Sequence, residues 1–151
     1  MQPTLKVLIV QVTKRSLLMS DRIQGSCLCQ AVQFEVPAQP LVQTLCFCTD
    51  CQVISGANSY TAYVVPIADL VRLRGEPGHY AVLSDKGRTN TRYFCRDCGS
   101  RCWAELESGV ASVNGMAIDG GSHFKPTHNH RRNNAPTWCA IDEGLEELPV
   151  S

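Results

Sequence analysis

The chain has 151 residues, about the length of one ordinary domain, and its 14 basic and 14 acidic side chains cancel to a formal charge of zero. This balance leaves no basic field to hold a nucleic-acid backbone or an anionic membrane surface, so we expect neither partner. Hydrophobic residues make up 44% of the chain and charged residues 19%, which is typical of a soluble globular protein.

The first 20 residues show no targeting signal and no membrane span. The apolar run over residues 5–10 is too short to cross a bilayer, and polar and basic residues follow it without a small-residue cleavage site. Met19-Ser20-Asp21 resembles an ordinary protein start. We therefore expect residues 1–20 to be an N-terminal extension, with a short edge strand as the alternative, residues 21–151 to form one domain, and the protein to be cytoplasmic.

Beyond residue 20, short strand patterns alternate with turns. Apolar and polar residues alternate over residues 31–36, and residues 59–65 are β-branched and aromatic; a proline ends each run. The pairs 80–83 with 89–94 and 101–106 with 110–114 flank turn-rich spacers and predict two hairpins. The sequence therefore predicts a mainly β domain.

A short helix is predicted after Cys48. Thr49 is a suitable N-cap, Gln52 follows three residues later as in a capping box, and Gly56 stands where a helix would end in a left-handed conformation. One or two helical turns fit between these signals.

The C-terminal segment, residues 123–149, is rich in proline, asparagine, histidine and glycine. This composition predicts irregular chain lying over the sheet. Trp138 and Ile141 are its predicted anchors.

Nine cysteines are far more than a reduced core of this size needs. Their odd number and the absence of a secretory pattern argue against a disulfide framework and favour zinc binding. Seven of them form three local clusters: Cys27-Leu28-Cys29, Cys46-Phe47-Cys48-Thr49-Asp50-Cys51 and Cys95-Arg96-Asp97-Cys98.

The first and last clusters together supply four sulfurs. Cys27 and Cys29 project to the same side of an extended strand, and Cys95-x-x-Cys98 followed by Gly99 forms a tight knuckle that directs both sulfurs inward. We predict a closed structural zinc site from these four cysteines, which contributes on the order of 10 kcal/mol to folding.

The middle cluster supplies only three sulfurs: Cys46, Cys48 and Cys51. Three protein ligands leave a fourth coordination position open, as in catalytic zinc sites. Cys51 would lie in the first helical turn, where free N–H groups and the helix dipole favour its thiolate. An open position of this kind binds a thiol or polarises a carbonyl, so the cluster suits thiol chemistry on small electrophiles.

The remaining cysteines and the histidines have two interpretations each. Cys102 and Cys139 are more typical of packed core thiols than of ligands, although Cys139 could also be a spare thiol near the open site. His128 and His130 are expected to be exposed polar residues rather than ligands. They form a basic patch that either receives the carboxylates of a small anionic thiol or is a solvated surface. Its cationic members are Lys125, Arg131 and Arg132.

The three cysteine motifs in their order resemble the glutathione-dependent formaldehyde-activating enzyme family, which is related to centromere protein V. The resemblance covers residues 25–149, including Ser55-Gly56-Ala57 and the closing Asp142-Glu143-Gly144-Leu145. It implies an Mss4-like, mainly β domain with two zinc ions. The structural zinc would be held by Cys27, Cys29, Cys95 and Cys98, and the catalytic zinc by Cys46, Cys48 and Cys51.

The family activity is the addition of glutathione to formaldehyde, giving S-hydroxymethylglutathione, and is classed as a carbon–sulfur lyase. The resemblance therefore predicts an enzyme with glutathione or a similar thiol and an aldehyde or related electrophile as substrates. The alternatives are a non-catalytic zinc module for a protein partner and a dithiol redox protein.

Two residues depart from the family pattern. Phe47 stands where the family commonly has histidine, which predicts a more apolar site beside the metal. Gln30 stands where glycine is usual, so the loop around the structural site is expected to differ locally.

Overall fold

The computed structural model describes residues 21–150 and shows a mainly β fold, as predicted. Within that range lies one α-helix, α1 (Thr49–Ser55). The described strands are β1 (Arg22–Ser26), β2 (Gln33–Pro37), β3 (Val42–Cys46), β4 (Tyr60–Pro66), β5 (Val71–Arg74), β6 (Gly78–Leu83), β7 (Thr89–Phe94), β8 (Arg101–Leu106), β9 (Val110–Asn114), β10 (His128–His130) and β11 (Glu146–Leu148). The short 3-10 turns are Ile67–Asp69, Gly115–Ala117, Asp119–Gly121 and Arg132–Asn134.

The strands form two sheets. The small sheet has the order β1-β2-β5, and the large sheet has the order β11-β10-β3-β4-β9-β8-β7-β6. The pairs β6–β7 and β8–β9 are antiparallel neighbours, so both predicted hairpins are confirmed. Strands β3, β4, β9, β8, β7 and β6 pair antiparallel in that order, whereas β10 joins β3 in parallel.

The hydrophobic core lies between the small sheet and one face of the large sheet. Tyr63, Val113, Trp103 and Tyr93 stand side by side across four strands of that face, because each faces the next in the strand register. Phe34 of β2 meets Trp103 edge-on at 5.5 Å between ring centroids. Such an aromatic pair adds about 0.5–1.5 kcal/mol beyond its burial.

The opposite face of the large sheet lines a cavity. Side chains alternate between faces along a strand, so the neighbours of the core row point away from the core. Val64, Ser112, Ala104 and Arg92 form the equivalent row on this side. All four line the cavity. The sheet thus has one face for stability and one face open to a ligand.

Helix α1 forms where predicted, but its N-terminus is built differently. The N-cap is Cys48, whose sulfur accepts a hydrogen bond from the Cys51 N–H at 3.3 Å, so the prediction of Thr49 as cap is wrong. Gln52 donates to the carbonyl oxygens of Phe47 and Asn134 and forms no capping box. The predicted C-terminus is confirmed, because Gly56 adopts a left-handed φ of 65°.

The C-terminal segment is more regular than predicted. β10 pairs in parallel with β3 on one side and with β11 on the other, which extends the large sheet. Trp138 is 77% exposed and Ile141 is half-buried, so the predicted anchor at Trp138 is wrong. Asn129 is fully buried instead, and its Nδ2 donates to the carbonyl oxygen of Asp142 at 2.9 Å.

No helix within residues 21–150 is long and apolar enough to cross a membrane. The predicted N-terminal extension, residues 1–20, lies outside the described residues.

Candidate metal centres and the adjoining cavity

Four cysteines from two distant turns meet at one end of the sheets. Cys27 and Cys29 follow β1, and Cys95 and Cys98 follow β7. Their four sulfurs all lie within 4.8 Å of one another. The knuckle after β7 is closed by hydrogen bonds from the Gly99 N–H to the Cys95 carbonyl and from the Cys95 N–H to the Ser100 carbonyl, both 2.9 Å. Gly99 has a φ of 74°, so this turn favours glycine.

The spacing of these sulfurs fits a tetrahedral zinc ion. Zinc–sulfur bonds of about 2.3 Å in tetrahedral geometry place the sulfurs about 3.8 Å apart. Cys29 Sγ lies 3.6 Å from Cys27 Sγ and 3.7 Å from Cys95 Sγ. The Val32 N–H donates to Cys27 Sγ at 3.3 Å, and the Ser100 hydroxyl lies 3.1 Å from Cys98 Sγ. Four thiol donors at this spacing could hold one metal ion.

Three further cysteines meet around the start of α1. Cys46 ends β3, Cys48 is the helix cap and Cys51 lies in the first turn. Their sulfurs also lie within 4.8 Å of one another. The structure therefore assembles the four-cysteine cluster and the three-cysteine cluster with the membership that the spacing predicted.

Within the three-cysteine cluster, Cys48 is the sulfur that accepts hydrogen bonds from its neighbours. Hydrogen bonds from the Cys46 and Cys51 thiols lower the pKa of Cys48, and the nearby positive charge of Arg131 lowers it further. Hydrogen bonding to the same sulfur raises the pKa of Cys46, and the pKa of Cys51 is also raised. The helix N–H of Cys51 donates to the sulfur of Cys48, so this first-turn donor stabilises negative charge at Cys48, and the thiolate expected at Cys51 stays a prediction.

The three-cysteine cluster opens on a cavity of about 670 Å³. Its walls are the open face of the large sheet, the first turn of α1, the loop between β6 and β7, and the C-terminal segment. Cavities of about 300–1,000 Å³ are typical of sites for drug-sized ligands. The three sulfurs therefore face a space far larger than a one-carbon aldehyde requires.

Two of the arginines in the cavity wall are paired with carboxylates. Arg92 is 7% exposed, and its Nη2 donates to Asp50 of α1 at 2.8 Å. Arg131 donates to both carboxylate oxygens of Asp85, at 2.8 and 3.2 Å, and lowers the pKa of that carboxyl. The first pair joins α1 to β7, and the second joins the C-terminal segment to the loop between β6 and β7.

Other buried polar atoms of the wall have no hydrogen-bond partner among the described residues. They are Thr44 Oγ1, Tyr60 Oη, Asn90 Oδ1, and Arg101 Nε and Nη2. Burial raises the pKa of Tyr60, so its hydroxyl keeps its proton and can donate a hydrogen bond. Sequence reasoning missed these residues, because they come from separate strands and share no motif.

The two remaining cysteines have different environments. Cys102 is fully buried in the core, and burial raises its pKa to about 12, which confirms its prediction as a core thiol. Cys139 is half-buried and accepts a hydrogen bond from Asn58 Nδ2 at 2.8 Å. It lies outside the core cluster, so the core prediction is wrong for Cys139.

The predicted basic patch is largely neutralised. Besides the pairing of Arg131 with Asp85, Arg132 lies 3.3 Å from Glu143 and 3.4 Å from Glu147. The main-chain N–H of Lys125 donates to Gln43 Oε1 at 2.8 Å, which ties that residue to β3. Ion pairing of this kind leaves little charge for an incoming carboxylate.

His128 and His130 lie in β10 rather than in an irregular loop, and both are half-buried. His128 Nε2 is 3.4 Å from Glu146, and His130 lines the cavity. Within residues 21–150, neither histidine belongs to a group of side chains that could hold a metal ion.

The two departures from the family pattern have clear structural settings. Phe47 is 2% exposed and is not among the residues that line the cavity, so its ring leaves the cavity surface unchanged and the more apolar surroundings of the metal stay a prediction. Gln30 adopts a φ of 63°, a left-handed conformation that favours glycine. The local difference expected at Gln30 therefore concerns backbone strain in the turn beside Cys29.

Comparison with known proteins gives matches over most of the chain. Residues 22–135 match the family model described as glutathione-dependent formaldehyde-activating enzyme. A Halomonas elongata protein, named provisionally as a glutathione-dependent formaldehyde-activating enzyme, is 28% identical over 131 residues, 80% of this chain and 81% of that protein. A crystal structure of a Rhodobacter sphaeroides protein has a TM-score of 0.52 and 25% identity, covering 65% of this chain and 89% of that one.

Proposed function

The chain belongs to the glutathione-dependent formaldehyde-activating enzyme family, and from this we propose that it joins glutathione or a similar thiol to formaldehyde or another small aldehyde. The observation that carries the proposal is the position of the three-cysteine cluster. Cys46, Cys48 and Cys51 form a group of three sulfurs that opens on a ligand-sized cavity. Three sulfurs leave one coordination position for a substrate.

The reaction needs no oxidant or reductant. The thiol sulfur attacks the aldehyde carbon, a carbon–sulfur bond forms, and the π bond of the carbonyl breaks. The proton lost by the thiol ends on the former carbonyl oxygen, which gives a hydroxymethyl thioether. The reverse reaction breaks the carbon–sulfur bond, which places the activity among carbon–sulfur lyases.

We assign different roles to the two cysteine clusters. Cys27, Cys29, Cys95 and Cys98 would hold a structural zinc ion, because four sulfurs close its coordination shell. Cys46, Cys48 and Cys51 would hold the catalytic zinc ion, which supplies a positive charge that favours the thiolate form of a bound thiol.

The chain's own groups complete this second site. Arg131 places a positive charge near Cys48, which favours the thiolate form of that sulfur. The cavity walls keep the thiol and the aldehyde close together, which removes much of the entropic cost of a reaction between two molecules. The protonated hydroxyl of Tyr60 is available to donate a hydrogen bond to a substrate oxygen.

Replacing one sulfur of the three-cysteine cluster tests the proposal. We expect Cys48→Ser to remain folded, to lose one zinc ion, and to consume formaldehyde in the presence of glutathione at no more than the uncatalysed rate. Cys139→Ser is the matched control, because Cys139 belongs to neither cluster and should leave the zinc content and the rate unchanged. A Cys48→Ser protein with the rate of the parent would overturn the proposal.

A further inference from the structure

The guanidinium of Arg101 has one edge without a partner. Its Nη1 lies 3.4 Å from the Tyr80 hydroxyl, whereas Nε and Nη2 are buried and have no hydrogen-bond partner within residues 21–150. Nε and Nη2 lie on the same edge of a guanidinium, and their two N–H bonds point in the same direction. This is the edge that binds both oxygens of a carboxylate in bidentate arginine pairs.

Two hydroxyl groups of the same wall are buried and without a described partner. Tyr60 is 5% exposed and Thr44 is 3% exposed, and neither Tyr60 Oη nor Thr44 Oγ1 has a partner in the described part of the chain. Tyr60 and Arg101 line the same cavity, and the charge and hydrogen-bonding groups of Arg101 oppose the burial-driven rise in the pKa of Tyr60. Buried polar groups are almost always hydrogen-bonded, so such a cluster indicates a partner that arrives from outside the chain.

The surrounding charges distinguish Arg101 from Arg92 and Arg131, two other cations of the wall. Arg92 and Arg131 each have a carboxylate oxygen at 2.8 Å, and Arg131 is the cation that lowers the pKa of Cys48. Arg132 of the C-terminal segment likewise lies 3.3 Å from Glu143 and 3.4 Å from Glu147. A carboxylate entering the cavity would therefore find unsatisfied donors on Arg101.

Topology places Arg101 close to the reacting groups. Arg101 begins β8, and Cys46 ends β3; β3, β4, β9 and β8 are successive antiparallel strands, so these two positions lie at the same end of the large sheet. Tyr60 connects them, because it faces Cys46 across the β3–β4 pair and neighbours Arg101. A ligand could thus contact Arg101 with one group and the three-cysteine cluster with another.

We propose that Arg101 binds a carboxylate of the thiol substrate and is a specificity-determining residue of this site, with the Tyr60 and Thr44 hydroxyls as additional contacts. The inference rests on the proposed function and deepens it by naming the residue that recognises a carboxylate of the thiol. The cavity of about 670 Å³ has room for a peptide-sized thiol.

The test uses the zinc-loaded full chain and separates carboxylate binding from thiol chemistry. Calorimetry measures the Kd of S-methylglutathione, which keeps the carboxylates but has a blocked sulfur. Steady-state kinetics with formaldehyde compare glutathione with its glycyl monoethyl ester. The variants are Arg101→Gln and Arg101→Lys, and the control is Arg74→Gln, an exposed arginine on β5 of the small sheet.

We expect Arg101→Gln to weaken S-methylglutathione binding and to raise the KM for glutathione by about tenfold or more, with the zinc content unchanged. The KM for the ester should change little, because the ester lacks the charge that Arg101 recognises. The KM of Arg101→Lys for glutathione should fall between those of the parent and Arg101→Gln, since lysine keeps the charge and loses the bidentate edge. Arg74→Gln should match the parent in every measurement.

Several outcomes would overturn the inference. Equal changes of KM for glutathione and the ester, or loss of zinc in Arg101→Gln, would show that Arg101 stabilises the site instead of binding a carboxylate. Glyoxylate, an aldehyde that carries a carboxylate, serves as a second electrophile. If Arg101→Gln raises the KM for glyoxylate and leaves the KM for glutathione unchanged, the carboxylate that Arg101 binds belongs to the aldehyde. If the parent binds S-methylglutathione in an Arg101-dependent way but has no activity, the proposed reaction fails and the carboxylate site remains. If Arg101→Gln does not fold, Arg101→Lys tests the inference through its smaller effect, and a KM for glutathione equal to that of the parent would overturn it.

Discussion

Tyr60 and Tyr63 lie three residues apart on β4 and therefore project to opposite faces of the large sheet. Both are almost completely buried. Tyr63 Oη donates to the carbonyl oxygen of Pro37 at 2.8 Å, whereas Tyr60 Oη has no partner in the described structure. One hydroxyl thus stabilises the fold, and the other is available to a ligand.

This difference predicts opposite results for the same substitution. Tyr60→Phe should leave the free energy of unfolding unchanged or raise it by up to about 1 kcal/mol, because it removes a buried group without a partner. It should also raise the KM for glutathione several-fold. Tyr63→Phe is the matched control. It should lower the free energy of unfolding by about 1 kcal/mol and leave the KM for glutathione unchanged. Urea unfolding of the zinc-loaded proteins and steady-state kinetics measure both quantities. Equal loss of stability in the two variants, with no effect on KM, would contradict this account of Tyr60.

At the scale of elements, helix α1 is short and owes its position to contacts made by its N-terminal half. It has seven residues and buries none of them, so its own packing contributes little. Cys48 caps its N-terminus, and Asp50 pairs with Arg92 of β7 in the cavity wall. Gln52 holds the carbonyl of Asn134 in the C-terminal segment at 2.8 Å. These contacts fix Cys48 and Cys51 relative to Cys46.

The ion pair at Asp50 should therefore contribute more to stability than a pair at the surface. Arg92 is buried and Asp50 is half-exposed, so Asp50→Asn leaves a buried charge without its partner, and we expect a loss of about 1–2 kcal/mol in the free energy of unfolding. Glu76→Gln is the control, because Glu76 is 81% exposed and lies 3.8 Å from Arg72. It should cost less than about 0.5 kcal/mol. Urea unfolding compares the two, and equal losses would contradict the role given to Asp50.

At the scale of the whole molecule, the two cysteine clusters share one end of the large sheet. The four-cysteine cluster follows the end of β7, and the three-cysteine cluster follows the end of β3. β3 and β7 run in the same direction, because three antiparallel strands separate them. The knuckle that ends at Ser100 leads directly into Arg101 at the start of β8. The four-cysteine cluster therefore positions the wall of the cavity as well as the core.

Structural features that depend on residues close together in the sequence were predicted correctly. Both hairpins and both cysteine clusters follow from residue types at short spacing, and Gly56 marked the end of α1 because few other residues adopt its left-handed conformation. The strand predicted over residues 31–36 begins at Gln33, because the preceding residues form the turn that carries Cys29.

The features that depend on long-range pairing were not predicted. β10 and β11 are three residues each and join the sheet in parallel, so no local alternation identifies them. The polar wall of the cavity comes from β3, β4, β7 and β8, and only the register of the sheet brings Thr44, Tyr60 and Arg101 together. The cap at Cys48 was missed because sulfur is a rare substitute for the oxygen of serine or threonine.

The zinc-to-protein ratio tests the central claim most directly, since the account needs a second metal ion at the three-cysteine cluster. Elemental analysis of the purified protein should give two zinc ions per chain, and one per chain after Cys48→Ser. A ratio of two in both proteins, or of one in the unchanged chain, would contradict the assignment of a zinc ion to Cys46, Cys48 and Cys51.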